Sequence, residues 1–405
     1  MAAATKALVA CVATFGVALI AACSAGDSGP QLTGGDNAAV ITACPRPDGL
    51  GLVIGAHRNV PAPQLSATVL CELRSAITAG KPVFLVVADG APSARTLSLV
   101  PVTGGTPAGR AARIARNMVT VTGAVSAARP GSPGVDDLAA LAVASDEARS
   151  QGITHANIVL SDAGLDDRGA LNFTRPGMLA AEPSDLTGQL KGNAEEPNLA
   201  GMSVTLSGIG YVAPPQAPLP VSLRANLTSI WSAIVVSSRG KVAAIDPHPV
   251  SGPSVRTPYT VDSVPVPAQV PVRPAPGQTV VFNAQSPVSF VANSAKFLDP
   301  AEARMALTPI GRWLQADRIR RATIVGTTMN YGSYAGQVQL SLLRARAAAA
   351  VMRAAGAVAD QITVRGVGSH FPQYVRPDKS ADGSPLPAAA VANRSVRITL
   401  TGPKA

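Results

Sequence analysis

The sequence predicts two domains, an α/β doubly wound sheet followed by a small α+β domain with two helices packed on one face of its sheet. Three observations carry this. In the first half, continuous apolar runs of strand length end in Gly or Asp and alternate with helical patterns, the mark of buried parallel strands with helical crossovers. Nine prolines then crowd into residues 247 to 276. Beyond them, strand and helix patterns follow in the order βαβαββ. The chain has 405 residues, 47% of them apolar, enough for two cores of ordinary size, and with 3% aromatics those cores must be built largely from Ala, Val and Leu.

The amino terminus carries Lys6, an apolar run from Ala7 to Ala22, and then Cys23. A spanning helix needs about 20 residues, so the run is short for one and suits a secretory signal over 1–22. "LIAAC", residues 19 to 23, resembles the bacterial lipobox, which implies a diacylated Cys23 and a membrane held through lipid; an uncleaved anchor or a plain signal is the other reading. Either places the body of the protein outside the cytoplasm. Residues 23–39 are polar and Gly-rich and read as a tether. With Cys11 in the signal and Cys23 lipidated, Cys44 and Cys71 are left. In an oxidising compartment they pair as a disulfide or remain as two small buried thiols.

The first domain spans 40–246. "GLGLVIGA" (49 to 56), "PVFLVVADG" (82 to 90), "ANIVLSDAG" (156 to 164) and "MSVTLSGIG" (202 to 210) read as strands, and "PQLSATVLCELRSAIT" and "GVDDLAALAVASDEARSQG" as helices between them. The domain resembles von Willebrand factor A-like folds, most clearly in "IVLSDAGLDD" (158 to 167), where a strand delivers an Asp to a loop. That resemblance implies a Mg²⁺ held by a DxSxS loop, but the first strand runs instead into "GAHRNVPAP". Asp162 alone does not cage a hard cation. No metal and no cofactor is therefore expected, and Asp162, Asp166 and Asp167 are read as capping or solvating the loop. His57, His155, His248 and His370 show no metal-ligand spacing and read as surface or loop residues. GxSxG, GxxxxGK[ST] and GxGxxG patterns are absent, so the sequence argues against an enzyme.

Residues 247–278 read as a semi-rigid spacer, reaching roughly 90 Å if wholly polyproline II, or in part as an edge strand on a neighbour. The second domain spans 279–405. Residues 286 to 314 read as strand, turn and helix, with Pro309 splitting the helix. "RATIVGTT" supplies a strand, "QLSLLRARAAAAVMRAAG" a helix closed by Gly356, and "QITVRGVGS" and "NRSVRITLTG" two more strands.

Within this domain Gly326, Thr328, Gly332, Ser333, Leu340, Ser341, Arg344 and Ala345 stand at ungapped motif spacing, followed by Arg365, Gly366, Gly368, Asn393, Arg394, Val396 and Ile398. These residues resemble the OmpA-like peptidoglycan-binding domain. The resemblance implies a partner, the peptidoglycan stem peptide. In the family a loop Asp meets the diaminopimelate ammonium and a helix Arg its carboxylate. It also assigns site residues: Arg344 in the Arg position, Met329 in the Asp position, Gln337 where the family favours Asn, and Thr328, Asn393 and Arg394 around them. Met in place of the acid leaves the stem-peptide site weakened or lost, since a hydrogen bond to a charged group is worth about 1.5–3 kcal/mol.

Charge is uneven. From residue 279 onward 15 Lys or Arg face 6 Asp or Glu, against 19 and 18 before it. A basic domain outside the cytoplasm with few stacking aromatics points to an anionic wall or lipid and away from nucleic acid. The expectation is a lipid-anchored envelope protein that tethers or scaffolds. The alternative is an adaptor that has left the wall and recognises an envelope protein partner through either domain.

Overall fold

The computed structural model describes residues 44–403 except 45, 250 and 382. The signal segment, Cys23 and the tether lie outside the described residues. The amino-terminal lobe runs β1 (Leu50–Gly55), α1 (Ala67–Thr78), β2 (Val83–Ala88), β3 (Ala94–Thr96), α2 (Pro107–Ser126), α3 (Asp137–Ser150), β4 (Asn157–Ser161), α4 (Pro183–Gly192), β5 (Ser203–Ser207), α5 (Val221–Ser237) and β6 (Lys241–Asp246). Its sheet order is β3-β2-β1-β4-β5-β6, parallel except for β3, which pairs antiparallel to β2. The alternation within each strand divides the core. Leu50, Leu52 and Ile54 of β1 face α1 and α2, while Val53 joins α3, α4 and α5 on the other face. Ser66, Thr106 and Asp136 accept from the first-turn amides of α1, α2 and α3 and fix where those helices begin.

The four apolar runs form β1, β2, β4 and β5. Elements not foreseen are β3, β6, α2, α4 and α5. α2 fully buries only Asn117, Val121 and Val125, so its apolar stripe is narrow; α5 carries a helical period in Leu223, Leu227, Ile230, Trp231, Ile234 and Val235 that the strand-led reading passes over. Cys44 and Cys71 form a disulfide with Cα atoms 5.7 Å apart, which ties the first described residue to α1.

The carboxy-terminal lobe runs β7 (Thr279–Asn283), α6 (Pro300–Gln315), β8 (Arg321–Gly326), α7 (Tyr334–Ala354), β9 (Ile362–Gly366), α8 (Pro387–Asn393) and β10 (Ser395–Thr401). The sheet order is β7-β10-β8-β9, with β10 antiparallel to both its neighbours and β8 parallel to β9. Two expectations are corrected here. The first strand is Thr279–Asn283, whereas the stretch after 286 gives only a Phe290–Phe297 bridge with stacked rings 4.9 Å apart. Pro309 does not split α6: the carbonyl it leaves without a helical donor belongs to Met305, which is 69% exposed, so water can serve it.

The proline-rich stretch is not a free spacer. Val255, Val261 and Val264 are buried, and its backbone bonds to Ala62, Asn59, Gly134, Asp167 and Gln216, residues around the carboxyl ends of β1, β4 and β5. Three valines between the prolines supply the apolar anchor, and polar side chains of the first lobe satisfy the stretch's backbone groups. Cys44–Ala405 thereby forms a single compact unit, and α8 adds Val391 to the core of the first lobe. Among the described residues no helix is long and apolar enough to cross a membrane.

Candidate functional site

The motif residues cluster because α7 lies unusually close to the sheet. A Cβ at Gly326 would sit 1.9 Å from the Ser341 carbonyl oxygen, and one at Gly366 2.4 Å from the Leu342 nitrogen, so only glycine at the ends of β8 and β9 lets α7 seat. Ser341 Oγ then accepts from the Gly368 amide at 3.1 Å. This contact fixes α7 against the loop that follows β9. Ser333 caps α7 and starts it directly after the loop that follows β8.

All six residues assigned to the stem-peptide site are buried. Met329 is 2% exposed and Arg344 4%; Thr328, Gln337, Asn393 and Arg394 are also buried. The structure brings three of the six together. Arg394 Nη2 lies 2.9 Å from Met329 Sδ, and Arg344 and Arg394 converge on a common carboxylate, described below. The other three build the frame. Asn393 exchanges two hydrogen bonds with Val375 and pins the 371–386 loop, and Gln337 donates to Asn330 and Gly332 within the β8–α7 loop. Thr328 uses its amide on Gly368 and leaves its hydroxyl buried without a partner.

The carboxylates at the arginines come from the amino-terminal lobe. Glu182 Oε1 lies 3.5 Å from Arg344 Nη2 and 3.3 Å from Arg394 Nε, and Asp185 Oδ2 lies 2.6 Å from Arg394 Nη1. Glu182 is the N-cap of α4 and Asp185 stands in its first turn, where free amides and the helix dipole favour acids. Asn226 of α5 donates to the carbonyls of Leu179 and Ala181 and holds this entry in place. Arg344 also donates from Nε to the Ser294 carbonyl at 2.9 Å and lies over the Phe290 ring. Burial opposes the charge on Arg394, but Glu182 and Asp185 outweigh it and raise its pKa; at Arg344 burial wins and lowers the pKa. Burial lifts Asp185 above its usual range against the pull of Arg394. Beside the four charges, a cavity of about 20 Å³, room for one water, is bounded by Ala180, Asn226, Phe282 and Ser289, whose hydroxyl has no partner.

The family comparison bears on this lobe alone: residues 289–383 match the model of the OmpA family. The carboxy-terminal lobe contains an OmpA family domain. The outer-membrane lipoprotein YfiB of Pseudomonas aeruginosa is 41% identical over 91 residues, 22% of this chain and 53% of that protein, so the chain spans about half the length of this curated relative. Similar solved structures include the peptidoglycan-associated lipoprotein of Burkholderia pseudomallei (21% identity, 28% of this chain and 85% of that one, TM-score 0.23). The OmpA-like domain of FopA1 from Francisella tularensis is another (16% identity, 31% and 75%, TM-score 0.23).

Outside the OmpA domain, the carboxyl edge of the first sheet differs from the sequence reading. His57 stands in the loop after β1, as expected, but not at the surface: it is 2% exposed and its Nε2 lies 3.0 Å from Asp162, because Gly55 has no Cβ to displace that carboxylate. Asp162, Asp166 and Asp167 are buried, not solvated. Asp166 accepts from the Asp137 and Leu138 amides at the start of α3, and Asp167 from those of Val135 and Asp262. Burial, then the neighbouring carboxylates, holds Asp137 well above the usual carboxylate range; burial does the same at Asp166. Among the described residues no group of three His, Cys, Asp or Glu could hold a metal ion. The functional residues missed by sequence reasoning are Glu182 and Asp185; the one available signal was two acids around Pro183 at a helix start.

Proposed function

We propose that the protein is a lipid-anchored protein of the cell envelope whose OmpA domain contacts peptidoglycan, with a tethering or scaffolding role and no catalytic one. The observation that carries the reading is the arginine pair. Arg344 and Arg394 are set side by side on a rigid helix and strand end and bind carboxylates, the group a diaminopimelate stem peptide offers. The lipoprotein relative and its envelope location support the same reading, as does the basic second half of the chain. Met329 stands where the family has an acid, and a thioether offers a ligand ammonium no charge. The stem-peptide site is accordingly weak. The amino-terminal lobe is read as von Willebrand factor A-like, supported by its parallel strands and by Asp162 at the end of β4.

A second reading, an adaptor that has left the wall and recognises envelope proteins, is favoured by the burial of the site. Sedimentation of the full chain with purified diaminopimelate-type peptidoglycan separates the two. Weak retention that survives moderate salt and falls in Arg344→Ala supports wall contact; retention that tracks ionic strength and ignores Arg344 supports the adaptor.

A further inference from the structure

We propose that the amino-terminal lobe masks the OmpA domain's own binding site: Glu182 and Asp185 occupy Arg344 and Arg394 in the resting chain, and an external carboxylate reaches those arginines only when the lobes part. The proposal rests on the reading of Arg344 and Arg394 as the ligand-binding pair. Four observations point the same way.

The charges balance, two carboxylates against two guanidiniums, with all four side chains at 15% exposure or less. Glu182 bridges both arginines through a single oxygen, which leaves no second carboxylate the same position without displacing it. The acids are delivered by a dedicated entry: Pro183 starts α4, and Asn226 clamps the carbonyls on either side of Ala180. Contacts remote from the charges hold the same closure. Gly177 has φ of +83°, and a Cβ there would sit 2.6 Å from the backbone of Ala388 in α8. Glu302 at the start of α6 accepts from the amide of Val221, at the start of α5, at 2.8 Å. A free arginine site on a wall-binding domain would be expected in water; this one is buried beneath a helix start whose acids fit it.

Masking predicts a low apparent affinity in the resting chain, because only the opened fraction binds. Two variants open the lobes by different routes. Glu182→Gln with Asp185→Asn removes the competing charges at nearly constant shape, and Gly177→Ala wedges α8 away while keeping all four charges. Two readouts are taken on the full chain. The first is peroxide oxidation of Met329, followed by mass spectrometry against Met305, which is 69% exposed and serves as the internal reference. The second is calorimetric binding of a diaminopimelate-containing tripeptide.

In the wild type Met305 should oxidise while Met329 resists; in both variants Met329 oxidation should rise at least about tenfold, and the tripeptide should bind at least about tenfold more tightly to the charge-removed variant than to the wild type. Masking is overturned if Met329 stays protected in both variants while they remain folded, or if the wild type binds the tripeptide as tightly as the opened chain. If Met329 becomes reactive and the tripeptide binds none of the three proteins, the closure stands and the wall reading falls, leaving the adaptor.

Discussion

Both lobes bury charged side chains, but they satisfy them differently. In the amino-terminal lobe two buried acids are settled locally: Asp166 and Asp167 accept backbone amides around the start of α3, while burial and the neighbouring carboxylates hold Asp137 well above the usual carboxylate range. In the OmpA domain the buried Asp378 is served locally by the Tyr374 hydroxyl, but for Arg344 and Arg394, among the described residues, the carboxylates within ion-pair distance come from the other lobe. Asp166 and Asp167 thus serve the first lobe's own fold, whereas the two buried arginines of the second lobe are paired only across the lobes. On the masking proposal, one domain stands as the ligand of the other.

The comparison breaks most sharply at Arg394. Arg394→Ala leaves Asp185 buried without its cation, and removing one partner of a buried pair costs about 3–5 kcal/mol. Denaturant unfolding should show a loss of that size, and the double replacement Asp185→Leu, Arg394→Met should recover most of it. A single-variant loss below about 1 kcal/mol would mean the pair is solvated and the lobes are not joined there.

The next largest effect belongs to the first lobe alone. Glu72 is buried under the sheet, where Asn157 and Thr205 donate to it, and burial pushes its pKa up to about 7 despite those bonds. A raised acid makes the fold bind a proton that the unfolded chain has already released. Stability should therefore fall as pH rises from about 4.5 to about 7, by roughly 3 kcal/mol in all, and level off above. Glu72→Gln should flatten this slope and be the more stable protein at pH 8, with little difference at pH 4. A wild-type profile that does not change between those limits on Glu72→Gln would place the proton elsewhere.

Reduction of the Cys44–Cys71 bond should cost about as much, again in the first lobe only. The residues are 27 apart, and a loop of that length restrains the unfolded chain by about 3 kcal/mol in the chain-entropy model. Thermal melting with and without reductant reads it, and an unchanged midpoint would show that the bond restrains nothing in the unfolded ensemble.

How much of this was legible beforehand follows the range of the signals. Strands such as Leu50–Gly55 are local facts, written in continuous apolar runs, and the OmpA frame is written in glycines that a close helix requires. α2 was missed because its buried stripe holds three residues, and the burial of His57 because its partner lies 105 residues away. The proline-rich stretch misled for a related reason: proline sets backbone geometry but says nothing of what Val255, Val261 and Val264 will pack on. Glu182 and Asp185 were illegible in the same sense. Two acids at a helix start are ordinary capping chemistry, and nothing within reach of them in sequence says that an arginine 209 positions later will arrive there.

That long-range contact also changes what restoring the family's acid should do, the smallest of the expected effects and the one that sharpens the comparison most. Met329 Sδ lies against Arg394 Nη2, on the guanidinium whose Nη1 already holds Asp185. In the closed chain Met329→Asp would place a third carboxylate beside two arginines, so its charge is spent on Arg394 and on repelling Glu182 and Asp185 rather than on a ligand ammonium. Tripeptide affinity should then change by less than about threefold. Once Glu182→Gln and Asp185→Asn have vacated the arginines, Arg344 and Arg394 are free for the ligand carboxylate, and Asp at 329 faces its ammonium with a regained charged hydrogen bond of about 1.5 kcal/mol or more. Met329→Asp in that background should therefore tighten tripeptide binding by at least about tenfold, a gain that Arg344→Ala removes. If calorimetry finds the same gain in the closed and the opened chain, the acids of the first lobe do not compete for this site, and the two lobes are neighbours without being ligand and receptor.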